Sequence, residues 1–405
     1  MLKHILNIHN FIATFLVFAI LMFFPIIFSV DMFDPIQNTL EEMSITDIVY
    51  SQLRDYEDVE IDSNIVIINN SHLKRHQIAQ IFEIINEQNP KVVGVDIMFR
   101  RPKGDQYDLP LSEAIQKMDN FVLACDNFKG TPDGNSFDSV KYSLPMFSDY
   151  SNNAYVNMFT EPGEFRTVRK SMPKSKVKDS TVYSFATTIA NFYDPEKTKK
   201  YLSRDNKLEI INYKRNLNKY ITLDAKEFFE KAQNDDLGFL KDKIVLVGYL
   251  GPNLQTPVFE DIFYSPMNPK FVGKAHPDMY GVIIHANIIS MILEQDFLST
   301  TPEWLTFFLM GLIVFFNMAT LKLMRFKIPT YYQTFTAIFA LSQLLIYSLI
   351  IIFAYHWIGL EIKIAGALFS VIVCVMTFEI YNDSLFPLVR DAYRSIRYRI
   401  TGKLV

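Results

Sequence analysis

The sequence contains only two cysteines, Cys125 and Cys374, which lie far apart in segments of different kind. This excludes a framework of disulfide bonds. A surplus of either charge is also missing, since 40 lysines and arginines face 44 aspartates and glutamates for a net charge of -4. An even balance excludes the strongly basic surface that binds nucleic acid, so we expect no nucleic-acid partner.

The sequence also lacks the short motifs that accompany catalysis. No phosphate-binding Gly-x-x-x-x-Gly-Lys loop, Gly-x-Ser-x-Gly elbow or His-Glu-x-x-His pair occurs in it. His72 and His76 have the i, i+4 spacing of two metal ligands on a helix, but no third ligand can be identified. We therefore expect no catalytic site, no metal and no cofactor.

Four apolar runs are long enough to cross a bilayer, which takes about 20 residues. Lys3 precedes the first run and Asp31 follows it without a small-residue cleavage site, which indicates an uncleaved signal anchor. In the later runs Asn317 and Gln343 are costly in lipid, and we expect them to bridge helices. The predicted spans are 11–30, 304–323, 332–354 and 358–380.

Positive charge is distributed unevenly around these runs. The loop between the second and third runs carries Lys322, Arg325 and Lys327, whereas residues 355–357 contain no lysine or arginine. By the positive-inside rule both termini are cytoplasmic and the long middle segment lies outside, which predicts a multi-pass membrane protein. The predicted domains are an anchor (1–30), an extracytoplasmic domain (31–303), three membrane helices (304–380) and a cytoplasmic tail (381–405).

Between the first two spans, short β-branched runs alternate with helical patterns, which is typical of buried parallel strands joined by helices. The sequence thus predicts an α/β extracytoplasmic domain with a mainly parallel sheet, plus four transmembrane α-helices. Residues 127–152 are rich in Gly, Asn, Asp and Ser, and this composition predicts an exposed loop. The predicted core strands are 65–70, 91–97, 121–126 and 243–248.

Polar residues end or follow several of these strands. Ligands of open α/β sheets bind beyond the carboxyl ends of the strands, so we expect a ligand pocket there. The same side chains could instead cap helices or tie loops together, because buried polar groups need partners in any case. Both interpretations stay open, for Asp96 and Asn287 above all. The candidate ligand-binding residues are Asn69, Asn70, Asp96, Arg100, Asp105, Asp126, Tyr249, His285 and Asn287.

The tail has the pattern of a short basic amphipathic helix. An apolar seam of Val389, Tyr393, Ile396 and Ile400 recurs at helical spacing, and arginines occupy the other faces. Such a helix binds the surface of anionic lipid or meets a protein partner. Alternatively, the arginines only fix the topology. The candidate contact residues are Arg390, Arg394 and Arg397.

Four segments resemble the CHASE2 family of extracytoplasmic sensory domains. Their order and spacing are similar to the family's, and so is the arrangement of one predicted span before the domain and three after it. The resemblance covers about residues 31–380. The segments are 64–70, 93–99 with Asp105 behind it, 240–248 and 281–287.

The resemblance implies a bacterial membrane receptor whose outer domain senses a ligand and which is usually fused to a cytoplasmic kinase or nucleotide cyclase. Sensors of this shape often pair as homodimers. This sequence departs from the pattern in two places. Asn69 and Asn70 stand where the family has acidic residues, and only about 25 residues follow the last predicted span. We therefore expect no fused output domain, and a receptor subunit that signals to a separate cytoplasmic protein.

Two hypotheses of other classes remain at this point. The chain could be a structural or docking component of a cell-envelope complex that binds no small ligand. It could also be an extracytoplasmic hydrolase with an unrecognised site. A polar pocket at the strand ends favours the receptor, and exposed apolar patches favour docking.

Overall fold

The structure, a computed structural model, divides into two compact units. The first, called the sheet unit here, is Tyr50–Leu298, and the second, the helical unit, combines Met1–Val49 with Ser299–Val405. The domain boundaries expected from the sequence stay a prediction. The residues that the structure describes are 8–28, 45–130, 136–159, 167–178, 180–255, 258, 260–269, 276–362 and 365–388.

The main sheet of the sheet unit has the strand order β10-β1-β11-β2-β3-β4-β7-β8, with β5 also paired to β3. Short pairs β6–β9 and β12–β13 lie apart from it. The strands are β1 (Asp62–Asn69), β2 (Val92–Val95), β3 (Phe121–Gly130), β4 (Ser136–Lys141), β5 (Asn152–Tyr155), β6 (Lys170–Ser171), β7 (Lys174–Val177), β8 (Ser180–Tyr183), β9 (Glu209–Ile210), β10 (Tyr220–Leu223), β11 (Ile244–Gly248), β12 (Ile262–Phe263) and β13 (Met279–Tyr280).

Helices cover both faces of this sheet and make up most of the helical unit. Short 3-10 and π segments join some of them. The α-helices are α1 (Ile8–Phe28), α2 (Ile45–Ile48), α3 (Arg75–Glu87), α4 (Asp105–Gln116), α5 (Pro145–Ser148), α6 (Phe185–Tyr193), α7 (Pro195–Ser203), α8 (Ala225–Gln233), α9 (Gly281–Glu294), α10 (Glu303–Lys327), α11 (Tyr332–Phe353) and α12 (Ala365–Ile380).

The prediction of a mainly parallel sheet has to be corrected, because the sheet is mixed. Strands β10, β1, β11, β2 and β3 pair in parallel, whereas β4 is antiparallel to β3 and β8 is antiparallel to β7. The reason lies in residues 127–152, predicted as a loop. Part of this segment extends β3 and then returns as β4, and a direct return of this kind gives antiparallel pairing.

The parallel strands present alternate residues to two layers of helices. Val66, Val93 and Val245 face the layer that contains α3, α4 and α8. The opposite layer contains α6 and α9, and it approaches the sheet at two glycines. A Cβ atom on Gly94 would lie 2.3 Å from the Cδ1 of Ile189 in α6, so this position accepts no side chain without repacking.

A buried ion pair joins the first turns of α3 and α4. Arg75 pairs with Asp108, and the two side chains are 9% and 3% exposed. Burial alone would raise the pKa of Asp108, but hydrogen bonds from the Lys103 amide, Arg75 and the Gly104 amide hold that pKa below its usual value. The carboxylate therefore remains ionised inside the fold.

We expect Asp108→Asn to destabilise the protein by about 3–5 kcal/mol, because it leaves the buried Arg75 without a counter-charge. The matched control is Glu83→Gln. It removes an exposed pair with Lys117, whose side chain is 59% exposed, and should cost about 1 kcal/mol or less. Thermal unfolding of the full-length protein in detergent measures both changes.

The pH dependence of the same variant has a defined sign. The pKa of Asp108 is lower in the folded than in the unfolded chain, so its stabilisation is present above about pH 4 and is lost as the pH falls further. The difference between wild type and Asp108→Asn should shrink over that range. A difference that stays constant would contradict the assignment.

Three helices of the described chain are long and apolar enough to cross a membrane: Glu303–Lys327, Pro329–Ile358 and Ala367–Leu388. They match the three predicted C-terminal spans. For the fourth predicted span, at the N-terminus, the structure shows only a shorter apolar helix over Asn10–Met22, so this span stays a prediction. The strands β14 (Ser299–Thr300) and β15 (Leu360–Glu361) pair in parallel within the same unit.

The two polar residues predicted to bridge helices do so. Gln343 in α11 donates from Nε2 to Asn317 Oδ1 in α10 at 2.7 Å, and Asn317 is buried. A hydrogen bond between side chains in an apolar surrounding ties the helices at this point, at a typical gain of about 0.6–2 kcal/mol.

Candidate functional site

The carboxyl ends of three neighbouring parallel strands lie side by side in the sheet unit. The register pairs Asn69 of β1 with Gly248 of β11, and Val247 of β11 with Val95 of β2. The residues that follow these ends therefore emerge at one edge of the sheet. Among the candidates this brings together Asn70, Tyr249 and Asp96.

Asn69 stands at the same edge, but all of its hydrogen-bonding groups have partners within the fold. Its Nδ2 donates to Asp224 Oδ1 at 2.9 Å and to the Gly251 carbonyl at 3.0 Å. Its Oδ1 accepts the backbone N–H groups of Ser71 and Leu250. Asn69 is fully buried and ties three loops to the end of β1. Of the two interpretations of these polar residues, the one in which the side chain ties loops together describes Asn69.

Aromatic and acidic side chains gather beyond the strand ends in what we call the strand-end cluster. The Tyr249 hydroxyl donates to Glu260 Oε2 at 3.4 Å and lies 3.5 Å from His72 Nε2. The Tyr249 ring lies 5.4 Å from the His72 ring and 6.3 Å, edge to face, from that of Tyr280. The cluster comprises Asn70, His72, Asp96, Tyr249, Glu260, Asp261 and Tyr280.

The start of α9 fixes the place of Asp261. A Cβ atom on Gly281, the first residue of α9, would be 3.5 Å from both carboxylate oxygens of Asp261. The Gly281 N–H donates to the Asp261 carbonyl at 3.2 Å, and Asp261 has a left-handed φ of 53°. The carboxylate therefore lies over the first turn of the helix.

The carboxylates of the cluster have no positively charged partner among the described residues. Burial, and after it the nearby Asp261 carboxylate, raises the pKa of Asp96 to about 7. Burial and the neighbouring Glu260 raise the pKa of Asp261 to about 6. Within the described ranges neither Asp96 nor Asp261 forms an ion pair with a lysine or arginine. The cluster can therefore attract a cation or bind protons near neutral pH.

Of three other candidates, Arg100 lies in the loop after β2, Asp126 lies within β3, and Asp105 lies at the start of α4. Arg100 pairs with Asp126 at 3.1 Å, and Asp126 Oδ1 accepts a hydrogen bond from Asn157 Nδ2 at 2.6 Å. Asp105 is the exposed first residue of α4. Among the described residues no hydrogen bond or ion pair joins Asp105 to the strand-end cluster.

His285 and Asn287 lie inside the fold on α9. The His285 ring packs edge-on against Phe185 at 5.1 Å, and burial lowers its pKa to about 3, which keeps the ring neutral. Asn287 Oδ1 accepts the N–H groups of Lys214 and Arg215, and its Nδ2 donates to the Arg215 carbonyl at 2.8 Å. Asn287 thus holds the loop after β9, as the loop-tying interpretation proposed.

The predicted tail contacts Arg390, Arg394 and Arg397 lie outside the described residues, and the hypothesis about them stays a prediction.

The two histidines with metal-like spacing contact different neighbours. His72 contacts Tyr249, whereas the His76 ring packs against Tyr107 at 6.0 Å. Among the described residues no group of three or more His, Cys, Asp or Glu side chains is arranged to hold a metal ion.

Three residues of the cluster, Glu260, Asp261 and Tyr280, are not among those predicted from the sequence. Glu260 and Asp261 are adjacent acids in the proline-containing loop after the last core strand, and Tyr280 directly precedes α9. The one available signal was that this loop leaves the carboxyl end of β11, where ligand-binding loops of such sheets begin. Because the loop is long, its sequence does not show which of its residues lie near the strand ends.

A model of the CHASE2 domain matches residues 14–319 of the chain. The chain belongs to the CHASE2 domain family. This agrees with the resemblance in the core strands and in the segment that opens α9. CHASE2 domains are extracytoplasmic sensory domains. No curated protein and no solved structure matches the chain.

The CHASE2 chain should become more stable at neutral pH when Asp96 is replaced by asparagine. The pKa of Asp96 is higher in the folded than in the unfolded chain, so the contribution of Asp96 to stability is most favourable below about pH 4 and is lost as the pH rises through about 7. We expect Asp96→Asn to gain about 1–2 kcal/mol at pH 8 and nothing at pH 4. Thermal unfolding at both pH values measures this.

Asp105→Asn serves as the control for this comparison, since Asp105 is an exposed carboxylate outside the cluster. Its unfolding temperature should stay that of the wild type at both pH values. An Asp96→Asn variant whose stability follows the wild-type pH profile throughout would contradict the raised pKa of Asp96.

Proposed function

We propose that this CHASE2 chain is the receptor subunit of a bacterial membrane sensor. In this proposal the sheet unit binds a ligand or protein outside the cytoplasm and passes the signal to a separate cytoplasmic partner. Membership of a sensory domain family supports it. The observation that carries it is the strand-end cluster, where the half-buried Asp96 lacks a counter-charge among the described residues at the edge where α/β sheets bind ligands.

The position of α9 supplies a route for the signal. This helix begins under the Asp261 carboxylate and ends at Glu294, and the chain then leads through a short segment into α10, a candidate membrane helix. A ligand that contacts Asp261 in one of two positions of α9 would favour that position. We propose that the resulting displacement of α9 is carried along the chain to the membrane helices and to the partner.

The proposed topology places both termini in the cytoplasm of a bacterium and the sheet unit beyond the inner membrane. The basic residues Arg325 and Lys327 in the last turn of α10 support it through the positive-inside rule. We further propose that α1 crosses the membrane, that the chain is not catalytic, and that it assembles as a homodimer.

Labelling of single cysteines tests the topology. With Cys125 and Cys374 replaced by serine, Asp105→Cys should react with a membrane-impermeant maleimide added to spheroplasts, because Asp105 is exposed on the sheet unit. Lys327→Cys, the matched position at the end of α10, should react only after permeabilisation. The reverse pattern would overturn the proposed orientation.

A second candidate function is docking in a cell-envelope complex, and an open groove between α3 and α8 favours it. The groove has a volume of about 520 Å³. Ile84, Phe229 and Leu237 supply apolar surface, and Glu83 and Glu87 are among its charged residues. An apolar centre with polar residues at its rim is the usual arrangement of a protein interface.

Purification of the tagged full-length protein in mild detergent separates the two functions. A receptor subunit should retain a cytoplasmic enzyme in stoichiometric amount, and Asp261→Asn should change that enzyme's activity while Asp105→Asn should not. Mass spectrometry identifies the retained proteins and an activity assay follows the enzyme. Retention of envelope proteins alone would support docking and contradict sensing.

A further inference from the structure

The strand-end cluster combines aromatic walls with unpaired carboxylates. The rings of His72 and Tyr280 flank the Tyr249 ring at centroid distances of 5.4 and 6.3 Å. The carboxylates of Glu260 and Asp261 lie beside these rings, since Glu260 accepts a hydrogen bond from Tyr249 and Asp261 lies over the residue that follows Tyr280. Aromatic faces and carboxylates both attract organic cations.

The charges of the cluster contrast with those elsewhere in the sheet unit. Glu294 pairs with both Lys214 and Arg215, and Asp126 pairs with Arg100. The charged group that raises the pKa of Asp96 is the Asp261 carboxylate, and the one that raises the pKa of Asp261 is the Glu260 carboxylate. Like charges held together without a counter-charge are costly, and a bound cation would remove that cost.

A second observation, independent of the acidic residues, points to a missing partner at the same place. Tyr280 is 7% exposed, and its hydroxyl has no hydrogen-bond partner among the described residues. The side-chain oxygen of Asn70 is likewise buried without a partner. Since buried polar groups are nearly always satisfied, these two groups indicate a place for a ligand that carries hydrogen-bonding atoms. The Tyr280 ring contacts the Tyr249 ring, and the Tyr280 backbone pairs in the β12–β13 ladder with Ile262, the neighbour of Asp261. Tyr280 therefore belongs to the cluster.

We propose that the strand-end cluster binds a small organic cation, a protonated amine or guanidine, between the rings of Tyr249 and Tyr280 and the carboxylates of Asp96 and Asp261. This inference rests on the proposed sensory function and names the class of its ligand. The N–H groups of the cation donate to the carboxylates, and its alkyl part packs on the rings. A divalent metal ion would instead require six or more oxygen ligands and gain nothing from the rings.

Titration calorimetry on the full-length protein tests the proposal. The protein is kept in dodecyl maltoside, a detergent with neither an amine nor a charge, and titrated at pH 8 with putrescine and with agmatine. We expect saturable binding of at least one of them, and no binding of the anion glutarate. Asp96→Asn and Asp261→Asn should each weaken that binding roughly tenfold or more, because each removes a charged hydrogen bond.

Two matched comparisons make the test specific. Asp105→Asn, an exposed carboxylate outside the cluster, should bind like the wild type. Tyr249→Phe, which keeps the ring, should bind within about threefold of the wild type, whereas Tyr249→Leu should lose roughly tenfold. A thermal unfolding curve for each variant establishes that it is folded.

Three outcomes would overturn the proposal: no binding of either amine, amine binding that Asp96→Asn and Asp261→Asn leave unchanged, or calcium binding that depends on these two residues in place of amine binding. Failure here is distinct from failure of the sensor function. If the amines do not bind but Asp261→Asn still alters the activity of a co-purifying cytoplasmic enzyme, sensing stands and the ligand class is wrong. If the amines bind and no cytoplasmic protein co-purifies, the ligand class stands and the proposed sensor function is wrong.

Discussion

The approach of α9 to the sheet at Gly248 fixes the position of the strand-end cluster. A Cβ atom on Gly248 would lie 2.8 Å from the Cβ of Val282, so the first turn of α9 rests directly on the end of β11. This contact places Gly281 and the Asp261 carboxylate next to the residues that leave the strands. A side chain at Gly248 would displace the helix start and with it the geometry of the cluster.

The cluster also shows how the fold tolerates unfavourable charge. Burial and the Asp261 carboxylate raise the pKa of the half-buried Asp96, whereas Asp261 itself lies at the exposed edge of the cluster. Strands packed on both faces, with fully buried residues such as Ile67 and Val245, supply the stability against which this cost is set. In the same unit Asp108 is buried with a cation and several donors, which is how a carboxylate with a purely structural role is stabilised. The difference between the two settings distinguishes the site from the core.

Much of the site could be predicted from local sequence patterns. The β-branched runs identify parallel strands, and their polar last residues place Asn70, Asp96 and Tyr249 at one edge without knowledge of the tertiary structure. Asn69 ends the same strand, but whether its side chain binds a ligand or ties loops depends on Asp224 and Gly251, which are distant in sequence. Contacts of that kind have no local signature.

The remaining differences have the same physical origin. Glu260 and Asp261 return to the cluster through a long loop whose path is set by pairing of β12 with β13. His285 and Asn287 lie on a helix that is buried on all sides, and the helix carries both side chains into the core. The mixed sheet arises because polar residues after Cys125 extend a strand, which composition alone assigns to a loop.

The hydrogen bond between Gln343 and Asn317 bears on how the membrane helices are assembled. An isolated apolar segment with a glutamine near its middle enters lipid at a penalty, and the penalty falls once a neighbouring segment offers an amide. Helices α10 and α11 are consecutive and joined by a short turn, so each can shield the other's amide during biogenesis. The two segments should therefore leave the translocation machinery as a hairpin, with neither fully committed to the bilayer before the other.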